Sequence, residues 1–153
     1  MEKAKTKYAV RGKAQSGNAL IEFSICATVL FLMFCGIVDF ARLFSVGDKA
    51  VGAAAAGTDY GSLSPAHWSD YTGMQTAAAN AANNPTGFTA TASQFCTCTI
   101  GGSLVACDPS SCAQGYALTY VQTQVNIPWS SILPYPGMPS VTSFGATSTV
   151  RVQ

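Results

Sequence analysis

The sequence predicts an α+β protein, with one long N-terminal transmembrane helix and a small extracytoplasmic body holding a short helix and an antiparallel β-sheet. Three features point there. The run Ala19 to Val38 is apolar and carries one charge, Glu22. Residues 72–82 are Ala-rich and free of Pro. From Phe88 onward Thr, Val and aromatic residues alternate with turn residues, a composition that favours strands.

At about 1.5 Å per residue, the apolar run spans roughly 30 Å, the hydrocarbon core of a bilayer. Lys3, Lys5, Lys7, Arg11 and Lys13 precede Gly17, and only Arg42, Lys49 and Arg151 follow it. That asymmetry predicts the N-terminus in the cytoplasm and the C-terminal body outside. Asp39 and Arg42 close the run three residues apart, so they can pair across one helical turn. As a boundary pair they contribute little stability. After Gly17 the three cations face six acids (Glu22, Asp39, Asp48, Asp59, Asp70 and Asp108), and the basic cluster is confined to the terminus, so no nucleic-acid surface is expected. The helix is expected to continue past the bilayer to about Ala56, with Gly57 as its C-cap.

A cleaved secretory signal would have an apolar stretch of about 7–15 residues followed closely by a small-residue site. Here the stretch is longer, and Ala53-Ala54-Ala55-Ala56 lies well beyond it. A plain single-pass anchor fits the length but leaves Glu22 unexplained, because a carboxylate inside a bilayer helix is costly.

The stretch GNALIEF, residues 17–23, looks like the processing site of a type IV pilin-like precursor. That resemblance implies a cut after Gly17 by a prepilin-type peptidase, with Asn18 first in the mature chain and Glu22 fifth. The new α-amino group would then meet a carboxylate four residues along or on a neighbouring subunit. Such a pair stabilises little, yet it can fix the register of packed helices. The wider segment RGKAQSGNALIEF…GIVDFARLF resembles the N-terminus of TadE-like proteins, pilin-like components of tight-adherence pilus systems. The likeness returns at the C-terminus, in YALTYVQTQVNIPW, ILPYPGMPSV and ATSTVRVQ with its Arg151, while the cysteine-containing middle has no counterpart.

The resemblance implies a pilin-like fold in three parts: a removable leader over residues 1–17, a helix over 18–56 that crosses the membrane at about 19–38, and a body over 57–153. It implies a minor structural subunit of a type IV-related pilus, acting in assembly, adhesion and biofilm formation. Its partners would be other pilin-like subunits through the helix, the peptidase, the inner-membrane assembly machinery and the bilayer. No cofactor, metal or nucleic acid is expected. Small residues such as Ala27 and Gly36 would permit close helix approach in lipid. The competing reading is a membrane-anchored thiol-disulfide protein using Cys96 and Cys98, or a plain anchored binding protein that is not processed.

In the body, residues 72–82 read as a helix ending at Asn83-Asn84-Pro85. In ALTYVQTQVNI, Ala117, Thr119, Val121, Thr123, Val125 and Ile127 would share one face of a strand. Pro128, Pro134, Pro136 and Pro139 confine the next stretch to loops or edges, and VTSFGATSTVRV closes the sheet with one or two strands.

Cys26 and Cys35 lie in the membrane helix, where a thiol packs as a small hydrophobe. Cys96, Cys98, Cys107 and Cys112 fall in an oxidising compartment and allow three pairings. Their spacing lacks the C-x2-C knuckles of a zinc site and has no nearby His. In TCTIGGSLVAC, Gly101-Gly102 suits a two-residue hairpin turn. That turn sets Ile100 against Ser103 and Cys96 opposite Cys107, at a Cα separation of about 4.5–5.5 Å. Cys98, on the same face, then meets Cys112. The favoured pairing is Cys96–Cys107 with Cys98–Cys112; the nested Cys96–Cys112 with Cys98–Cys107 is second.

Catalytic candidates are few. His67 lies near Ser64 and Asp70, but in one Pro-containing loop without a nucleophile elbow, so no enzyme activity is expected. Trp68, Tyr71, Trp129 and Tyr135 could make an adhesive or sugar-binding surface, and burial is the commoner fate of such residues.

Overall fold

The computed structural model describes residues 16–132 and 141–153. It contains a 47-residue helix α1 (Ser16–Ser62), a 3₁₀ turn (Pro65–His67), helix α2 (Tyr71–Ala81), strands β1 (Thr89–Thr97) and β2 (Leu104–Val105), a second 3₁₀ turn (Pro109–Ser111), β3 (Leu118–Ser130) and β4 (Val141–Arg151). The strands form one antiparallel sheet in the order β2-β1-β3-β4. This is the α+β architecture the composition predicts, with one helix among the described residues long and apolar enough to cross a membrane. The chain divides into two compact units, one ending at Ile37 and the other running from Val38 to Gln153.

Within the second unit, α1 packs through its smallest residues. Ala50, Ala53 and Ala54 are fully buried against Ala78 and Ala82 and against Val125 and Ile127 of β3. These positions recur at helical spacing, so their side chains line one stripe and let the helix lie close to the sheet. The expected helix end at Ala56 is overtaken by this packing. α1 continues to Ser62, and Gly57 is a helical residue rather than a cap. A Cβ on Gly57 would lie 2.6 Å from Thr123 Cγ2 and 3.0 Å from the Met74 carbonyl oxygen. The missing side chain is what admits both neighbours. One turn on, Thr58 donates to the Ala55 carbonyl at 2.9 Å, and its hydroxyl also meets Ser148 Oγ at 2.8 Å, tying α1 to β4.

Helix α2 starts at Asp70, whose carboxylate accepts from the Gly73 N–H at 2.9 Å, a side-chain N-cap. It ends where Asn83 and Asn84 take positive φ values of 62° and 46°. Asn tolerates that left-handed region, so the Asn-Asn-Pro stop works as composition predicts.

The face of β3 read from the sequence is the buried one. Ala117, Thr119, Val121, Thr123, Val125 and Ile127 point inward, and the alternation runs on to Trp129. β3 does not stop before Pro128. β1 pairs with β3 only as far as Asn126, so beyond it β3 is bonded on the β4 side alone, with Pro128 opposite Ser143. A residue without an N–H costs no ladder bond there. The expected loop at Pro134, Pro136 and Pro139, and Tyr135 with it, lies outside the described residues.

The hairpin register differs from the expected one by two residues: Cys96 pairs with Val105 and Thr97 with Leu104. The turn is built on Thr99–Gly102, with the Gly102 N–H donating to the Thr99 carbonyl at 2.9 Å and only Gly101 at positive φ. Such a turn needs one left-handed glycine, not two. Because side chains alternate with a period of two, the slip leaves Cys107 on the face of Cys96. Two disulfides close this end of the sheet: Cys96–Cys107 with Cα atoms 5.1 Å apart, and Cys98–Cys112 at 5.4 Å.

Candidate functional site at the head of the long helix

Gly17 and Asn18 lie in the first turn of α1, and Glu22 lies one turn further on. Asn18 and Glu22 stand four residues apart, hence on the same helix face. All three are exposed, and a Cβ on Gly17 would meet nothing within 4 Å. The helix behind them is apolar around its whole circumference. From Gly17 to Phe34 every residue is exposed except the half-buried Ala27, including Leu20, Ile21, Phe23, Ile25, Leu30, Phe31 and Phe34. Such a helix is stable in lipid or within a bundle of similar helices.

The hydroxyls in this stretch are satisfied internally. Ser24 donates to the Leu20 carbonyl at 2.7 Å, and Thr28 to the Ser24 carbonyl at 2.9 Å. This i−4 back-bonding is how a helix hides a hydroxyl where water is absent. Glu22 has no such outlet: among the described residues its carboxylate has no polar partner. The thiols of Cys26 and Cys35 are free.

Asp39 behaves differently from the boundary residue the sequence suggested. It is 3% exposed, and both its oxygens accept from the Ile132 N–H, each at 3.1 Å. Arg42 approaches at 3.4 Å from its half-exposed position. Asp39 therefore holds the backbone just past β3 as well as pairing with Arg42. Nothing local in the sequence marks a contact across 93 positions.

The loop around His67 forms hydrogen bonds but no catalytic triad. Ser64 Oγ lies 2.7 Å from His67 Nδ1, and the Tyr60 ring meets the imidazole edge-on at 4.6 Å. Asp70 is committed elsewhere: it caps α2 and accepts the Tyr60 O–H at 2.8 Å. The Gly73 N–H, then the Tyr60 hydroxyl, hold the Asp70 carboxyl below the usual carboxylate range, and donating to Asp70 raises the Tyr60 hydroxyl. Among the described residues no His, Cys, Asp and Glu cluster could hold a metal ion. Cys96 and Cys98 are bonded to different partners, so they do not form the vicinal redox pair that the thiol-disulfide reading required. Trp129 is buried in the core and Trp68 is half-buried.

Residues 17–59 match the family model of TadE-like protein. The TadE-like segment thus holds Gly17, Asn18, Glu22, Asp39, Arg42 and Gly57, and it stops inside α1. α2, the disulfides and the whole sheet lie outside it. No curated protein and no solved structure matches the chain. Sequence reading overlooked the Asp39 clamp and the Gly57 contact. The Ala50, Ala53, Ala54, Gly57 and Gly61 spacing was the available signal for the latter.

Proposed function

We propose that this chain is a minor pilin-like structural subunit of a tight-adherence, type IV-related pilus. In this reading a prepilin-type peptidase cuts after Gly17 on the cytoplasmic side and leaves Asn18 as the new N-terminus. The mature helix sits in the cytoplasmic membrane with the disulfide-closed body outside, and it joins the pilus by packing against the helices of other pilin-like subunits. Adhesion and biofilm formation result from that assembly. The chain acts structurally and carries no catalytic role.

The observation that carries the reading is Glu22. It is an ionisable group without an intramolecular partner among the described residues, on a helix apolar all round, four residues after Asn18 and inside the TadE-like match. A carboxylate in such a place costs up to a few kcal/mol near a bilayer centre and less toward its edge. A new α-amino group, on the same chain or a neighbour, gives that cost a purpose, since an ion pair in a dry bundle sets register. The test is Glu22→Ala. Insertion into the membrane should be unchanged or improved, while incorporation into pili falls. Wild-type piliation by the variant would remove Glu22 from assembly.

A further inference from the structure

The sheet has two faces of different chemistry, and α1 and α2 cover only one. On the other, cross-strand rows run from β1 through β3 to β4. Thr89 stands beside Asn126, Thr91 beside Gln124 and Thr147, and Ser93 beside Gln122 and Thr149. Every side chain in these rows is an uncharged amide or hydroxyl, and most are exposed. The next row ends the pattern with Phe95 and Tyr120, stacked with ring centroids 5.2 Å apart and planes 9° from parallel. Arg151, opposite Tyr120, is the one charge in these rows. Between the Thr89 and Gln124 rows the face dips into a cavity of about 190 Å³, lined by Thr89, Thr91, Gln124, Val125 and Asn126.

We propose that this face binds a neutral, hydroxyl-rich oligosaccharide. The chemistry of the rows selects that partner over others. A protein partner would need an apolar centre, and here the apolar groups sit at one end. A nucleic acid would need several cations to neutralise phosphates, and the face offers Arg151 alone. Sugar hydroxyls donate and accept at once, as do the amides of Gln122, Gln124 and Asn126. The Gln122 amide N–H already donates to Thr149 Oγ1 at 3.0 Å, so its oxygen is not used in that bond and can accept from a ligand donor. The Phe95–Tyr120 pair supplies flat apolar bodies for the C–H faces of sugar rings, with a hydroxyl at the tip. The cavity is smaller than the roughly 300–1,000 Å³ of drug-sized sites, a size for one ring. At about 3.3 Å per residue, Tyr120 and Gln124 lie about 13 Å apart along β3, so an extended chain rather than a single sugar would engage both.

The test uses the full chain in zwitterionic detergent micelles, free of glycosidic headgroups, run in native gels containing dextran, glucomannan or soluble starch. At least one of these neutral polymers should retard the protein. The double substitution Gln122→Ala with Gln124→Ala should weaken that retardation about tenfold, the loss of two ligand hydrogen bonds. Tyr120→Ser should weaken it separately, while Thr76→Ala on α2 leaves it unchanged. Near-ultraviolet circular dichroism confirms that each variant is folded. Passage through all three polymers without retardation would overturn the proposal. So would retardation indifferent to the Gln122, Gln124 and Tyr120 changes, or binding to heparin alone that Arg151→Gln abolishes. None of these readouts depends on cleavage after Gly17 or on piliation.

Discussion

Two glycines of α1 should respond to the same substitution with opposite signs. Gly52→Ala and Gly57→Ala both replace a helical glycine and so gain the same helix propensity, about 0.8–1.0 kcal/mol. At Gly52 the added methyl meets nothing within 4 Å, so the gain stands. At Gly57 it would lie 2.6 Å from Thr123 Cγ2, 2.8 Å from Thr123 Oγ1 and 3.0 Å from the Met74 carbonyl oxygen. Carbon contacts are comfortable at about 3.5–4.0 Å, so α1 must withdraw by close to an ångström or Thr123 must leave its rotamer. Overpacking of this kind costs about 1–3 kcal/mol. Gly52→Ala should therefore stabilise by nearly 1 kcal/mol, and Gly57→Ala should destabilise by about 1 kcal/mol. Their difference isolates the packing cost, because the propensity gain cancels. Thermal unfolding of the full chain in micelles, followed in the near ultraviolet where Trp129 reports core packing, should separate the two by several degrees. Adding Thr123→Ala should relieve the Gly57→Ala penalty. A Gly57→Ala protein stabilised like Gly52→Ala would refute the close approach of α1 to β3.

Thr123 Oγ1 is buried without a hydrogen-bond partner, so Thr123→Val, which keeps the shape and removes the hydroxyl, should stabilise by about 1 kcal/mol or more in the same assay. Asp39→Ala strips the charged acceptor from the Ile132 N–H and should destabilise by about 1.5–3 kcal/mol, whereas Arg42→Ala, at a half-exposed ion pair, should cost under about 1 kcal/mol; equal losses would contradict the clamp. Asp70, whose folded carboxyl is held below its usual range, contributes stability that is present above its unfolded value and lost as pH falls through the folded value. Asp70→Asn keeps a capping acceptor, so its melting temperature should lie below wild type at neutral pH and converge with it at the acid end; a gap that persists below the folded value would contradict that assignment.

What composition and period can encode was legible. The apolar run, the Ala-rich second helix, the Asn-Asn stop and the alternating face of β3 each depend on neighbours close in sequence. Long-range details were not. Gly57 after an Ala run reads as a helix cap, and only Thr123 and Met74 reveal that it is a contact point. Asp39 and Arg42 read as an isolated pair until Ile132 arrives from the far end of β3. The hairpin register depended on which of Gly101 and Gly102 turns left-handed, a choice the Gly-Gly dipeptide does not specify. A slip of two residues preserves facing, so arguments from facing tolerate it where arguments from direct opposition do not. At the head of α1, Gly17, Asn18 and Glu22 are exposed, so their sequence signal points to partners outside this chain, the peptidase and other subunits of the proposed function.

Maturation of the chain as a pilin-like subunit would be read from the intact mass of the protein in membranes and in assembled pili. The chain should begin at Asn18, and full-length protein should accumulate in the membrane when Gly17 is replaced by a bulky residue. Protein beginning at Met1 in assembled pili would contradict it.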